Sequence, residues 1–193
     1  MNKTALGAKT FLYPMPVTLV GANVDGKPNY CVIAFCGAMN ADPPILYVSL
    51  NRQHYTTEGI RHNGTFSVNI PSADMVAITD YCGIVSGGTV DKSTLFKTFY
   101  GKLETAPMIQ ECPVNLECRL IRTMEFEVDT AYIGEVAEVY SENKYMTGRR
   151  LDIKKINPML FATHERSYWS IGGYIGKAWN IGQNYTKIDD IRR

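Results

Sequence analysis

The run Ser49-Leu50-Asn51-Arg52-Gln53-His54-Tyr55-Thr56-Thr57 puts a serine where an aliphatic, strand-like stretch stops. An arginine follows three residues on, and two threonines stand where a helix can begin. Those types in that order suit a phosphate. A phosphate monoester carries roughly 1.5 to 2 negative charges at neutral pH, and unpaired amide N–H groups at the positive end of a helix satisfy it. Hydroxyls and a guanidinium complete such a shell with charge-assisted hydrogen bonds. The competing reading makes Thr56 a plain helix cap and Arg52 a solvated charge, and spacing alone favours it. Lys92, in Gly-Gly-Thr-Val-Asp-Lys, would supply a second cation, although a single loop lysine ordinarily faces solvent.

A second candidate is Asn29-Tyr-Cys-Val-Ile-Ala-Phe-Cys-Gly-Ala-Met-Asn40, where bulky residues give way to small ones. A flat ligand can lie against such backbone. An isoalloxazine ring needs hydrogen bonds along its polar edge and apolar cover on its faces, and a strand end with Val32, Ala34 and Phe35 offers both. Without further information a buried core strand is the commoner meaning of the same pattern. Other chemistries find less support. His54, His62 and His164 lack the spacing of a metal set, and no HExxH occurs. Ser49 has no G-x-S-x-G elbow around it, and no histidine is placed as a tetrapyrrole ligand.

The elements that must position these residues read mainly as strands. Pro16–Asp25 is rich in β-branched residues, and Asp25-Gly26 turns it back into Tyr30–Phe35. Pro43–Leu50 and Thr65–Ile70 are further strands. Between them Tyr55–Gly64 reads as a short helix capped by Thr56, stapled by Tyr55 and Ile60, and closed by Gly64 in a left-handed conformation. Gly59 inside it costs about 1 kcal/mol against alanine. A second short helix, capped by Ser72, precedes a glycine-rich connector. Two long alternating strands then run over 114–128 and 130–142, and the tail from Pro158 has no clear period.

At 193 residues with a net charge of +1, a single domain over 1–193 is expected, and nothing marks a nucleic-acid surface. No apolar window is long enough for a membrane helix. The first residues lack the core of a secretory signal, so a cytoplasmic location is expected. Cys31, Cys36, Cys82, Cys112 and Cys118 are odd in number and form no CxxC, which suits buried free thiols in a reducing compartment.

Taken in order, PMPVTLVGANVDGKPNYCVIAF, DPPILYVSLNRQHYTTEGIRHNGTFSVNI, DYCGIVSGGTVDKSTLF, CPVNLECRL and IGEV resemble the flavin reductase-like family, and within it the flavoredoxins. The resemblance implies a mainly β fold: an antiparallel, Greek-key-like FMN-binding split barrel with short inserted helices. It implies a homodimer with FMN near the subunit interface, fed by NAD(P)H or a redox partner protein. It places the cofactor along Asn29, Cys31, Val32, Ile33, Ala34, Phe35, Ser49, Leu50, Arg52, Thr56 and Lys92. Ser49, Arg52 and Thr56 would hold the phosphate, with Lys92 reaching it from the later loop. The function implied is an oxidoreductase, with a non-enzymatic electron carrier as the alternative. One departure stands out: where the family often has a histidine before Gly-Glu-Val, this chain reads Val-Asp129-Thr-Ala-Tyr-Ile, and an acidic group there would disfavour an anionic reduced flavin.

Overall fold

The computed structural model describes residues 2–183 together with residue 185. The single-domain expectation also takes in residues 1, 184 and 186–193, which lie outside the described residues. Seven strands build one antiparallel sheet: β1 (Thr18–Val24), β2 (Lys27–Ile33), β3 (Cys36–Ala41), β4 (Pro44–Asn51), β5 (Thr65–Ile70), β6 (Val114–Glu125) and β7 (Asp129–Ser141). Their order across the sheet is β2-β1-β5-β6-β7-β4-β3. The two edge strands, β2 and β3, are consecutive in the chain and are joined by only Ala34 and Phe35. That link forces the sheet to curl until its edges meet. Hydrogen bonds tie that stretch to the strand on either side: Thr18 Oγ1 of β1 donates to Ile33 O at 2.9 Å, and Ser49 N of β4 donates to Phe35 O at 2.8 Å.

The strand expected to end at Phe35 therefore stops at Ile33, and a further strand follows it. β3 carries small and polar residues and is largely exposed, so it shows no hydrophobic alternation. The Asp25-Gly26 turn forms as expected, with both residues at positive φ (50° and 76°), the conformation that matches the twist of a two-residue hairpin.

Inside the barrel, Val20, Ala22, Cys31, Ile33, Val48, Leu50, Phe66, Val68 and Tyr132 make one core. A fully buried side chain such as Phe66 contributes about 1.5–3 kcal/mol. The opposite face of β1 and β2 is buried too, under α2 (Val76–Ile84) and the following segment, where Leu19, Tyr30, Cys82, Phe96 and Ile109 meet. Burial on both faces explains why those strands read as continuous apolar runs. All five thiols are free. Burial pushes Cys31 and Cys82 up to about 11, so neither is an activated nucleophile.

Helix α1 (Thr56–Asn63) ends at Gly64 with φ 64°, as its sequence requires. Its start differs from expectation. The cap position is Tyr55, no side chain caps it, and Thr56 is the first helical residue. The Thr56 hydroxyl accepts instead from Asn29 Nδ2 at 2.8 Å, a partner on β2 that no local pattern reveals. Ser72 precedes a 3-10 turn, Ala73–Met75, rather than α2 itself, and its hydroxyl bonds the Asp74 carboxylate. The tail also has more order than its sequence suggests. Met159–Ala162 and Ser167–Ser170 form a hairpin that pairs with Met15–Pro16.

Candidate functional site

The barrel's outer surface carries a long cleft made of two cavities placed end to end along β2 and β4. Val32 and Asn51 line the first, and Ala34 and Ser49, two residues along the same segments, line the second. The first, of about 510 Å³, is walled by polar groups including Asn29, His54, Thr56 and Lys92. The second, of about 700 Å³, is walled mainly by apolar groups including Phe35, Tyr47, Met124, Phe126 and Ile133.

Lys92 is only 3% exposed, which overturns the solvent-facing expectation for a loop lysine. Its ammonium donates to Tyr30 O at 3.0 Å and Cys82 O at 2.8 Å, leaving one N–H for the cavity. Burial pulls its pKa below the usual lysine value. At the same end stands the start of α1, which no side chain caps; Thr57 N and Glu58 N donate to His54 O and Tyr55 O, and Thr56 N remains for a ligand. His54 adds a buried Nδ1 that has no hydrogen-bond partner. An orphaned ring nitrogen, a buried ammonium with a spare donor and a helix N-terminus around one cavity fit a ligand rich in acceptor oxygens.

The structure thus brings together Asn29, Cys31, Val32, Thr56 and Lys92 around the polar cavity, and Ala34, Phe35 and Ser49 around the apolar one. Ser49 is therefore separated from the group expected to share a phosphate with it. Ile33 and Leu50 turn their side chains into the barrel core, so only their main chain is available to a ligand. Arg52 lines neither cavity. Its guanidinium donates to Glu125 at 3.0 Å, a residue 73 positions away that β6 brings up across the intervening β7. The acidic departure is also relocated. Ala131, paired opposite Ser49, and Ile133 are the β7 residues lining the apolar cavity. Asp129 pairs opposite Asn51, and its charge acts on His54.

Sequence reasoning weighed His54 only as a metal ligand and passed over Asn51, Gln53 and Ser86, which also line the polar cavity. The strand alternation that puts Ser49 on the outer face was a usable signal for Asn51. No local signal points to Phe11 and Leu12, which reach the apolar cavity from the N-terminal segment.

Burial, reinforced by the Lys92 charge, holds the His54 imidazole below its usual value, and Asp129 opposes this more weakly. The folded value thus lies below the unfolded one, about 6.5. The stability tied to a neutral His54 is complete above about pH 6.5 and is lost as pH falls through the folded value. Urea unfolding of the cofactor-free protein is expected to show a falling midpoint from about pH 6.5 downward, with a shallower fall in His54→Gln. An identical pH slope in the variant would contradict this.

The family model for the flavin reductase like domain matches residues 10–170, and the chain belongs to that family. Within it, the chain is similar to a flavoredoxin from Methanosarcina acetivorans, at 50% identity and a TM-score of 0.93, covering 95% of this chain and 98% of that one. It is also similar to the flavoredoxin of Desulfovibrio vulgaris (Miyazaki F), at 35% identity and a TM-score of 0.88, over 94% of this chain and 100% of that one. An FMN-binding protein from Thermus thermophilus, 20% identical with a TM-score of 0.77 over 92% and 97% of the two chains, shares the fold. The flavin-binding split barrel expected from the sequence is the fold found. Among the described residues, no helix is long and apolar enough to cross a membrane.

Proposed function

We propose that this chain is an FMN flavoprotein of the flavoredoxin type, one domain acting as a homodimer. It moves electrons from a reduced nicotinamide or a redox partner, through bound FMN, to an acceptor. The observation that carries the reading is the cleft itself, polar and cationic at one end and apolar at the other, which complements a ligand with an anionic phosphate at one end and a flat ring at the other. Lys92, Thr56 and the first turn of α1 would hold the phosphate, with His54 Nδ1 beside it. The main chain from Cys31 to Phe35 would run along the ring, and Phe35, Met124 and Ile133 would cover it. Asn29 keeps Thr56 in place through its amide. FMN supplies the redox chemistry, accepting a hydride or single electrons. The protein contributes binding, orientation and exclusion of water, and no side chain is needed as an acid or base.

The dimer is supported by apolar groups around the mouth of the apolar cavity. Leu12, Met39 and Phe126 all line it, yet they are 71%, 56% and 54% exposed. Covering such a rim with a second copy would also shield the ring.

The test is to purify the protein, reconstitute it with FMN and measure NAD(P)H oxidation with free flavin as acceptor. Bound FMN with sustained turnover is the expected result. FMN held without turnover would move the protein to the carrier alternative, and failure to hold FMN would refute both.

A further inference from the structure

We propose that residues 171–183 form an arm that crosses to a second copy of this chain and lies along the rim of that copy's apolar cavity. Each ring site is then built by two subunits, with the partner subunit's Trp179 as its outer cover. The proposal rests on the homodimer and FMN reading above. Beyond Ser170 the chain leaves its hairpin and carries Tyr174, Ile175, Trp179 and Ile181 into solvent, Ile175 being 92% and Trp179 96% exposed. Lys177 is the one charged residue of the segment. Among the described residues its hydrogen bonds stay within it: Ile181 N donates to Lys177 O and Gln183 N to Asn180 O, each at 3.0 Å. So contiguous an apolar surface marks a segment that another surface receives.

The arm's own cavity is not that surface. Ser167–Ser170 and Met15–Pro16 flank Met159–Ala162, each antiparallel to it, so the two outer strands run in the same direction. Met15 and Pro16 line the apolar cavity together with Leu12 and Pro14, which precede them. The arm therefore sets out two strand spacings, about 10 Å, from that wall and heads away from the side where Leu12 and Pro14 stand. The rim it leaves bare, at Leu12, Met39 and Phe126, is open to a second copy.

Two-fold symmetry makes the exchange reciprocal, because an arm on each subunit meets a rim on the other. A large aromatic side chain buries about 150–250 Å², so Tyr174 and Trp179 from two arms withdraw about 600–1,000 Å² from water. The rims beneath them lose a similar area, and the total reaches the roughly 1,200–2,000 Å² of a stable interface. With a single charge on each arm, little is lost in removing it from water. Tryptophan seated in such a patch is a side chain whose truncation weakens association most.

Trp169→Phe leaves Trp179 as the single tryptophan of the full chain and makes it the reporter. In the cofactor-free dimer its emission is expected to be blue-shifted and shielded from iodide, and dilution to monomer should shift it to the red. FMN or riboflavin should then quench it in the dimer. Trp179→Ala changes a residue exposed in the single chain, so the subunit fold is kept, and it should weaken the dimer about thirtyfold by sedimentation. At concentrations where the variant is still dimeric, it should weaken FMN and riboflavin alike by about three- to tenfold, since ring cover and no phosphate contact is lost. Trp179→Phe keeps an aromatic ring and should restore most of both. A dimer whose Trp179 stays open to iodide, or Trp179→Ala with dimer and flavin affinities unchanged, would overturn the arm alone. A monomeric wild type at micromolar concentration would overturn the arm together with the dimer reading. A wild type that binds neither flavin would overturn the FMN reading and the cover role with it, and the emission of the cofactor-free protein decides the seat of the arm in either case.

Discussion

Gly59→Ala is expected to destabilise the protein by about 1–3 kcal/mol, although helix propensity by itself favours alanine by about 1 kcal/mol. The two effects have opposite signs, and geometry decides between them. A Cβ at position 59 would lie 2.3 Å from Asn23 O and 2.9 Å from Asn23 C, both backbone atoms of the β1 hairpin that cannot rotate aside. The close approach is used: Asn63 Nδ2 donates to Asn23 O at 2.7 Å and to Gly59 O at 2.8 Å, stapling α1 to β1. Moving the helix off the strand would break that staple and withdraw Ile60 from the barrel core. It would also displace the first turn of α1 from the polar cavity, so FMN affinity should fall along with stability. Urea unfolding followed by circular dichroism measures the first effect and fluorescence titration the second. A variant more stable than the wild type would show that α1 has room to accept the methyl group.

Lys92→Met is expected to weaken FMN by about a hundredfold while weakening riboflavin by less than about tenfold, because a buried charge-assisted bond to the phosphate contributes about 1.5–3 kcal/mol. Two separate losses make up the FMN figure. One is the charge offered to the phosphate, which riboflavin lacks. The other is the pair of bonds to Tyr30 O and Cys82 O, which anchor the loop and matter to either flavin. The difference between the two ligands isolates the phosphate contribution. Since Lys92 is buried, the loss should persist at high ionic strength, unlike that of a surface charge. Lys92→Gln keeps some hydrogen-bonding capacity and serves where the methionine variant unfolds. Equal losses for both flavins would mean that Lys92 shapes the loop only, and unchanged affinities would remove it from the site.

Local chemistry determined the parts of this fold whose causes are local. Asp25-Gly26 enforces a two-residue hairpin and Gly64 ends α1, because positive φ is cheap at those residues. Runs of β-branched residues marked β1, β4 and β5, and alternation marked β6 and β7. The family resemblance, carried by the order of motifs, pointed to the split barrel and to both ends of the cleft. Sequence patterns were silent wherever the deciding partner is far away along the chain. Thr56 looks like a cap until β2 brings Asn29 to its hydroxyl, and Arg52 looks like a phosphate ligand until β6 brings Glu125 to its guanidinium. Lys92 looks solvated until two carbonyls, ten and 62 residues back, enclose it. Gly59 looks like a weak point in a helix until Asn23 closes on it. Residue type and spacing state what a side chain is able to do. Strand order and packing, which depend on contacts dozens of residues apart, decide which of those abilities the site uses.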